Sequence, residues 1–194
     1  MKKSTKKVRF LGVVLELIHK KGFMATTMRD IAQELNFEVA NVYNYIDSKQ
    51  ALLEEYLFDI QDEFHSAIDP IMGSSLTATE KLNLVISSYI QITTKRPYEQ
   101  ALLVNEWRNL KEPKLQEFVK RRKVYENKLQ GIIADGVEQG EFRPLDIEIA
   151  TQTILASLRW LHMRYLDTEV KLNPVKIDKQ LTDFILLAVA NTTI

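Results

Sequence analysis

Apolar residues recur at intervals of three and four along almost the whole chain, and no run alternates long enough to make a strand. That periodicity restricts the chain to helices. Pro97, Pro113, Pro144 and Pro174 stand at or just before the points where new periodic runs begin, positions at which a missing N–H costs little. The pattern predicts roughly nine helices, over about 5–21, 27–35, 39–45, 47–66, 77–95, 97–110, 113–138, 146–166 and 174–191. "DPIMGSS" reads as the clearest break, and there are no internal repeats or low-complexity segments.

At 194 residues the chain suits one large domain, or a small domain joined to a mid-sized one. Its 45% hydrophobic and 27% charged content is that of a soluble globular protein. With no cysteine it forms no disulfide and uses no thiolate, which fits a cytoplasmic setting. The opening "MKKSTKKVRFLGVVLELIHKK" has the basic start of a signal peptide, but Glu16 interrupts the apolar run. Val8, Leu11, Leu15 and Ile18 instead give an amphipathic helix. No stretch reaches the roughly 18 apolar residues of a membrane span, so no membrane partner is expected. Charge is uneven. Residues 1–50 carry nine Lys/Arg against five Asp/Glu, while 51–70 hold six acids and no Lys or Arg. A basic head suits an anionic partner.

The head has local detail. Thr27 with Asp30 three residues on is a capping-box pattern, and Asn36 stands where a left-handed residue would close a turn. Asp47 and Gln50 read as N-cap and N3 of the next long helix. At 100° per residue Val39, Val42, Tyr43 and Ile46 share one side of the short helix, and Asn41, Asn44 and Tyr45 the other. Two short helices and a tight turn, the second polar outside, form a helix-turn-helix whose second helix fits a DNA major groove. Asparagine suits base edges and tyrosine hydroxyls suit phosphate oxygens. Thr27 and Arg29 stand at a helix amino end that favours phosphate, and Lys49 is a cation in the first turn of the following helix.

The run "KKGFMATTMRDIAQELNFEVANVYNYIDSKQALLEEYL" resembles the amino-terminal DNA-binding domain of TetR-family transcriptional regulators, through "KGF…TT.RDIA", "VYNY" and the "SKxxLL" start of the fourth helix. The resemblance implies that Asn41 and Asn44 meet base edges, and that Tyr43, Tyr45, Thr27, Arg29 and Lys49 lie near phosphates with Met28 close by. Asn36 and Ala40 replace glycines frequent in the family, Ile46 replaces an aromatic, and Glu38 replaces a capping serine or threonine. The implied architecture is all-α, with a helix-turn-helix domain over 1–47 and a larger ligand-binding and dimerisation domain over 48–194.

For the larger part the resemblance implies a homodimer and a small-molecule site. The last two helices suit a dyad, with stripes of Ile147, Ala150, Ile154, Leu158 and Leu161, and of Leu181, Phe184, Ile185, Ala188 and Val189. Such a pair of heads would meet a dyad-symmetric operator. Candidate ligand contacts are Tyr89, Asn105, Trp107, Arg108, Trp160, His162 and Tyr165, which fit an apolar cavity with few polar anchors. The segment from "NEWRNL" to "GEFRP" is similar to the TetR subgroup that senses fatty acyl-coenzyme A and related thioesters, and "KRRK" at 120–123 offers charge for coenzyme A phosphates or a solvated face. Asp62, His65 and Asp69 share one helix face but read as an acidic surface, so no metal and no cofactor is expected. No nucleophile elbow or phosphate loop supports an enzyme. The alternative is a helical ligand-binding or scaffold protein whose basic head contacts protein rather than DNA.

Overall fold

The computed structural model describes residues 5–167 and 173–191. Its elements are α1 (Thr5–Lys21), α2 (Met28–Glu34), α3 (Val39–Val42), α4 (Lys49–Met72), α5 (Ala78–Lys95), α6 (Pro97–Asn105), a 3₁₀ turn (Trp107–Asn109), α7 (Lys114–Glu138), α8 (Ile147–Arg159), α9 (Leu161–Leu166) and α10 (Pro174–Val189). Among the described residues the only β-type pairing is an isolated bridge between Phe142 and Ala190. No helix among them is long and apolar enough to cross a membrane.

Local chemistry sets most of the ends. Thr27 and Asp30 form the expected capping box on α2, and Thr77 with Glu80 forms a second one on α5. Asn173 caps α10 ahead of Pro174. Three ends differ from the sequence reading. α4 is capped by Ser48, whose Oγ accepts from Ala51 N at 3.0 Å, and not by Asp47. α4 also continues through Pro70 to Met72, because burying Ile68 and Ile71 holds the last turn in spite of the lost backbone donor. The expected single helix over 146–166 breaks at Trp160. There the His162 ring, through Nδ1–H, takes the Arg159 carbonyl at 2.6 Å, diverting it from the helical ladder.

Packing divides the chain into two compact units, one of residues up to Ile60 with Tyr98–Phe118, the other of Gln61–Pro97 with Val119 onward. This differs from the 47/48 division read from the motif, because the first three turns of α4 and the α6 segment share a core with the head. In that first unit Phe10, Val14 and Ile18 of α1 pack with Ile31 of α2, Val42 of α3, Leu53 and Leu57 of α4, and Leu102, Leu110 and Phe118. Each such fully buried side chain contributes roughly 1.5–3 kcal/mol. In the second unit α5 packs against α8, α9 and α10. The loop after α7 is tied to the end of α10: Arg143 N and Nε donate to the Val189 and Ala188 carbonyls, and Asn191 N donates to Glu141 O at 3.0 Å. Glu141 in turn caps α5, accepting from Ala78 N, Thr79 N and the Thr79 hydroxyl.

Candidate functional site

The first unit presents α2, the turn and α3. Asn36 is left-handed, with φ 52°. Phe37 N donates to Ala32 O at 2.8 Å and closes the turn. α3 is a single turn. Beyond it Asn44 N reaches Asn41 O and Tyr45 N reaches Val42 O, both three residues back, so the chain tightens towards 3₁₀ geometry. The 100° projection therefore fails past Val42. Tyr45 swings inward and stacks on Phe10 at 4.4 Å with the rings 12° apart, so it lies with the core and not on the outer face. Val39 is exposed, and Glu38 makes no side-chain cap bond. What remains outside is Arg29, Asn41, Tyr43 and Asn44, all exposed.

Two candidates near the start of α2 and α4 are engaged internally. Thr27 Oγ1 accepts from Asp30 N and donates to Asp30 Oδ2, which also takes Thr27 N at 2.7 Å, while Lys21 Nζ reaches Oδ1 at 2.9 Å. The Thr27 hydroxyl and Lys21 hold the Asp30 carboxyl well below the usual carboxylate range, so the amino end of α2 already carries an anion. Lys49 donates to the Phe23 carbonyl and, at 2.5 Å, to the Thr26 carbonyl, with Met24 O at 3.4 Å. Its ammonium lies 4.4 Å from the Phe23 ring centroid, and burial pushes its pKa down. This corrects the expectation of a phosphate-facing lysine, because the carbonyls have taken its donors.

The ligand candidates do not come together within either unit. Asn105, Trp107 and Arg108 belong to the first, where Trp107 stacks on Phe118 at 6.0 Å and Arg108 lies over the Trp107 ring. Tyr89, Trp160, His162 and Tyr165 belong to the second. Tyr89 is buried 4.9 Å from Phe64, whose ring also meets Tyr125 at 5.8 Å. Burial and the neighbouring Tyr89 push the Tyr125 phenol far up, so it stays a neutral donor. Trp160 is exposed, His162 is buried on its own helix, and the Tyr165 hydroxyl is buried with no hydrogen-bond partner among the described residues. Sequence reasoning missed Phe64 and Tyr125, which carry no signal beyond helical spacing.

The basic run is committed to ion pairs. Arg121 pairs with Asp62, Arg122 approaches Glu126 and Lys123 approaches Glu148, while Lys128 pairs with Asp69. His65 Nε2 lies 3.2 Å from the Arg121 carbonyl. Among the described residues no group of three or more His, Cys, Asp or Glu is placed to hold a metal ion.

The last two long helices leave an apolar face uncovered, but not the whole face expected. Ala150, Ile154, Leu158 and Leu161 are buried inside the subunit, as are Ile185 and Val189. Exposed instead are Ile149 at 66%, Met163 at 56%, Phe184 at 67% and Leu187 at 72%. Between α8 and α10 runs a shallow groove of about 190 Å³, lined by Leu145, Ile149, Ile154, Phe184 and Ile185 among others.

Two family models match the chain. "Bacterial regulatory proteins, tetR family" covers residues 11–56, and "Tetracyclin repressor-like, C-terminal domain" covers 75–189. The chain belongs to the TetR family. It is an all-helical transcriptional regulator of that family, and the relatives it matches are themselves regulators. The transcriptional repressor KstR2 of Mycolicibacterium smegmatis is 25% identical over 163 residues, spanning 81% of this chain and 80% of that protein. The structure of the ketosteroid transcriptional regulator KstR2 of Mycobacterium tuberculosis has the same fold, with a TM-score of 0.87, 20% identity and 97% of each chain covered. AibR, solved in complex with isovaleryl coenzyme A and operator DNA, aligns with a TM-score of 0.76 at 20% identity, over 95% of this chain and 98% of that one.

Proposed function

We propose that this TetR-family regulator is a homodimeric repressor that holds a dyad-symmetric DNA operator through Arg29, Asn41, Tyr43 and Asn44, and releases it when a small apolar effector binds the larger unit. The observation that carries the reading is the outer face of α2 and α3. It exposes two amides, a phenol and a guanidinium, while every large aliphatic side chain except Val39 is turned inward. Amides suit base edges, and the guanidinium and phenol suit phosphates. One such face gives few contacts, so a second copy on a dyad is needed for useful affinity. The uncovered side chains of α8 and α10 supply a surface for that copy.

For the effector we infer the acyl-thioester class. Support comes from the fold shared with AibR, whose structure contains isovaleryl coenzyme A, and from the aromatic Phe64, Tyr89 and Tyr125 cluster of the second unit. A small set of buried hydroxyls within an apolar lining suits a ligand with one polar function. Effector binding would shift the population towards a head separation that no longer matches successive grooves.

The test uses duplexes flanking the coding region and fluorescence anisotropy at several salt concentrations. A dyad-symmetric fragment should bind with an affinity that falls steeply as salt rises, and isovaleryl coenzyme A or a longer acyl thioester should release it. Duplex affinity independent of salt would favour the protein-contacting alternative, and failure of every acyl thioester to release the fragment would remove the effector class.

A further inference from the structure

The turn that precedes α2 is held from two sides. On one side stands Lys49 at the start of α4, which donates to the carbonyls of Phe23, Met24 and Thr26. An ammonium has three N–H groups, so these acceptors use its full donor capacity. On the other side stands Glu106, just past α6. Its Oε1 accepts from Phe23 N at 3.3 Å, and its Oε2 accepts from Asn109 Nδ2 at 2.7 Å. The Asn109 carbonyl accepts from Gln50 Nε2 at 3.3 Å, and Gln50 is the residue beside Lys49 on α4. The connections close a ring, from α4 to the turn, to the segment after α6, and back to α4. Gly22, with φ 84°, gives the turn a conformation that other residues rarely adopt. Thr26 is fully buried and its hydroxyl donates to Gly22 O at 2.8 Å.

We propose that Lys49 and Glu106 are positioning residues for duplex binding: they clamp the turn from which α2 and α3 project, and Lys49 makes no phosphate contact. This rests on the DNA-binding reading above. The chemistry separates it from the obvious alternative. A lysine on phosphate contributes to affinity for every duplex and to its salt dependence. A clamp contributes only where the outer face must match base edges, so it raises affinity for a chosen sequence and leaves general attraction alone. Glu106 sharpens the distinction through its sign. Removing a carboxylate from a DNA-binding unit should strengthen general attraction to DNA, yet loss of the clamp should weaken binding to the chosen sequence.

The experiment uses the full chain with Lys49→Met and Glu106→Gln, the best duplex that the wild type selects from a randomised library, and a scrambled duplex of the same length. Melting temperatures are measured for each variant. We expect each variant to lose about tenfold in affinity for the selected duplex, equivalent to about 1.4 kcal/mol. Neither should bind the scrambled duplex less well than the wild type, and the slope of log affinity on log salt should not change. Lys49→Met binding both duplexes less well, with the slope shallower by about 0.9, would make Lys49 a phosphate contact and overturn the proposal. Glu106→Gln binding both duplexes more tightly would overturn it too, as would equal losses on both duplexes that track a fallen melting temperature. Should Lys49→Met fail to fold, Glu106→Gln carries the test alone. A wild type that selects no duplex refutes the DNA-binding reading itself, a result separate from any behaviour of the variants.

Discussion

Gly131 and Gly136 lie on the same helix, α7, and the same substitution should have opposite effects at the two. A Cβ built on Gly136 would fall 2.3 Å from Phe142 Cδ2 and 2.4 Å from Cε2. Ring and methyl would have to part by more than an ångström to reach ordinary contact, where carbon atoms lie roughly 3.5–4 Å apart. Phe142 has little room to give. It is 2% exposed, its N–H donates to Gly136 O at 2.9 Å, and it pairs with Ala190. A Cβ on Gly131 meets only Met72 Cε at 3.8 Å, an ordinary contact with a flexible side chain. Alanine gains about 1 kcal/mol over glycine in a helix interior. At Gly131 that gain stands. At Gly136 it is set against overpacking of about 1–3 kcal/mol, or about 3–5 kcal/mol if the ring is expelled and its packing lost. The net expected for Gly136→Ala is a loss of roughly 1–3 kcal/mol, whereas Gly131→Ala gains up to about 1 kcal/mol. At roughly 2–4 °C per kcal/mol for a chain of this size, the two melting temperatures should separate by several degrees. Thermal melts at one fixed protein concentration read both. If Gly136→Ala melts at or above the wild type, the ring is not pinned where the structure puts it and the reasoning fails.

Other outcomes follow from the same geometry. Arg29→Ala should weaken binding to all duplexes and make the salt slope shallower by about 0.9, read by anisotropy titrations. Asn44→Ala should instead change which base pair is preferred, at a cost of about 1–3 kcal/mol at one position, seen in competition between single-substitution duplexes. Leu187→Glu places a charge on the uncovered face and should halve the mass measured by sedimentation; a variant that stays dimeric would place the dyad elsewhere. Glu141 has its pKa raised by burial but lowered more by hydrogen bonds from Thr79 and Ala78, so the folded value is depressed. Its stabilisation is present above the ordinary value of 4.5 and lost as pH falls through the lower folded value. Glu141→Gln should therefore cost about 1 kcal/mol at neutral pH, as a lost cap does, and flatten the acid limb of the stability curve.

The helical plan and the head were legible because their signals are local. Capping boxes at Thr27 and Thr77, the left-handed Asn36 and the proline starts are chosen within a few residues of where they act. The departures arise where distant groups decide. Tyr45 turns inward because Phe10, thirty-five positions earlier, offers it a ring, and Lys49 turns to carbonyls of a loop that sequence spacing does not place beside it. α8 misled in a different way. Its most regular stripe fills the subunit's own core, and the exposed side chains Ile149 and Met163 belong to a less regular one. Periodicity reports that a face is apolar and not what covers it. The ligand candidates failed as a group for the same reason, since aromatic residues look alike in sequence whether they line a cavity or stack on a neighbour.

Glu141 also has a bearing on biogenesis. During translation the first turn of α5 emerges long before the carboxylate that completes it, which lies 62 positions downstream of Thr79. Until then the nascent segment has only its own Thr77 and Glu80 to hold its amino end, and the apolar side of α5 awaits α8 and α10, which are made later still. The carboxyl-terminal unit should thus consolidate only after nearly the whole message has been read, with chaperone occupancy falling most at that late stage.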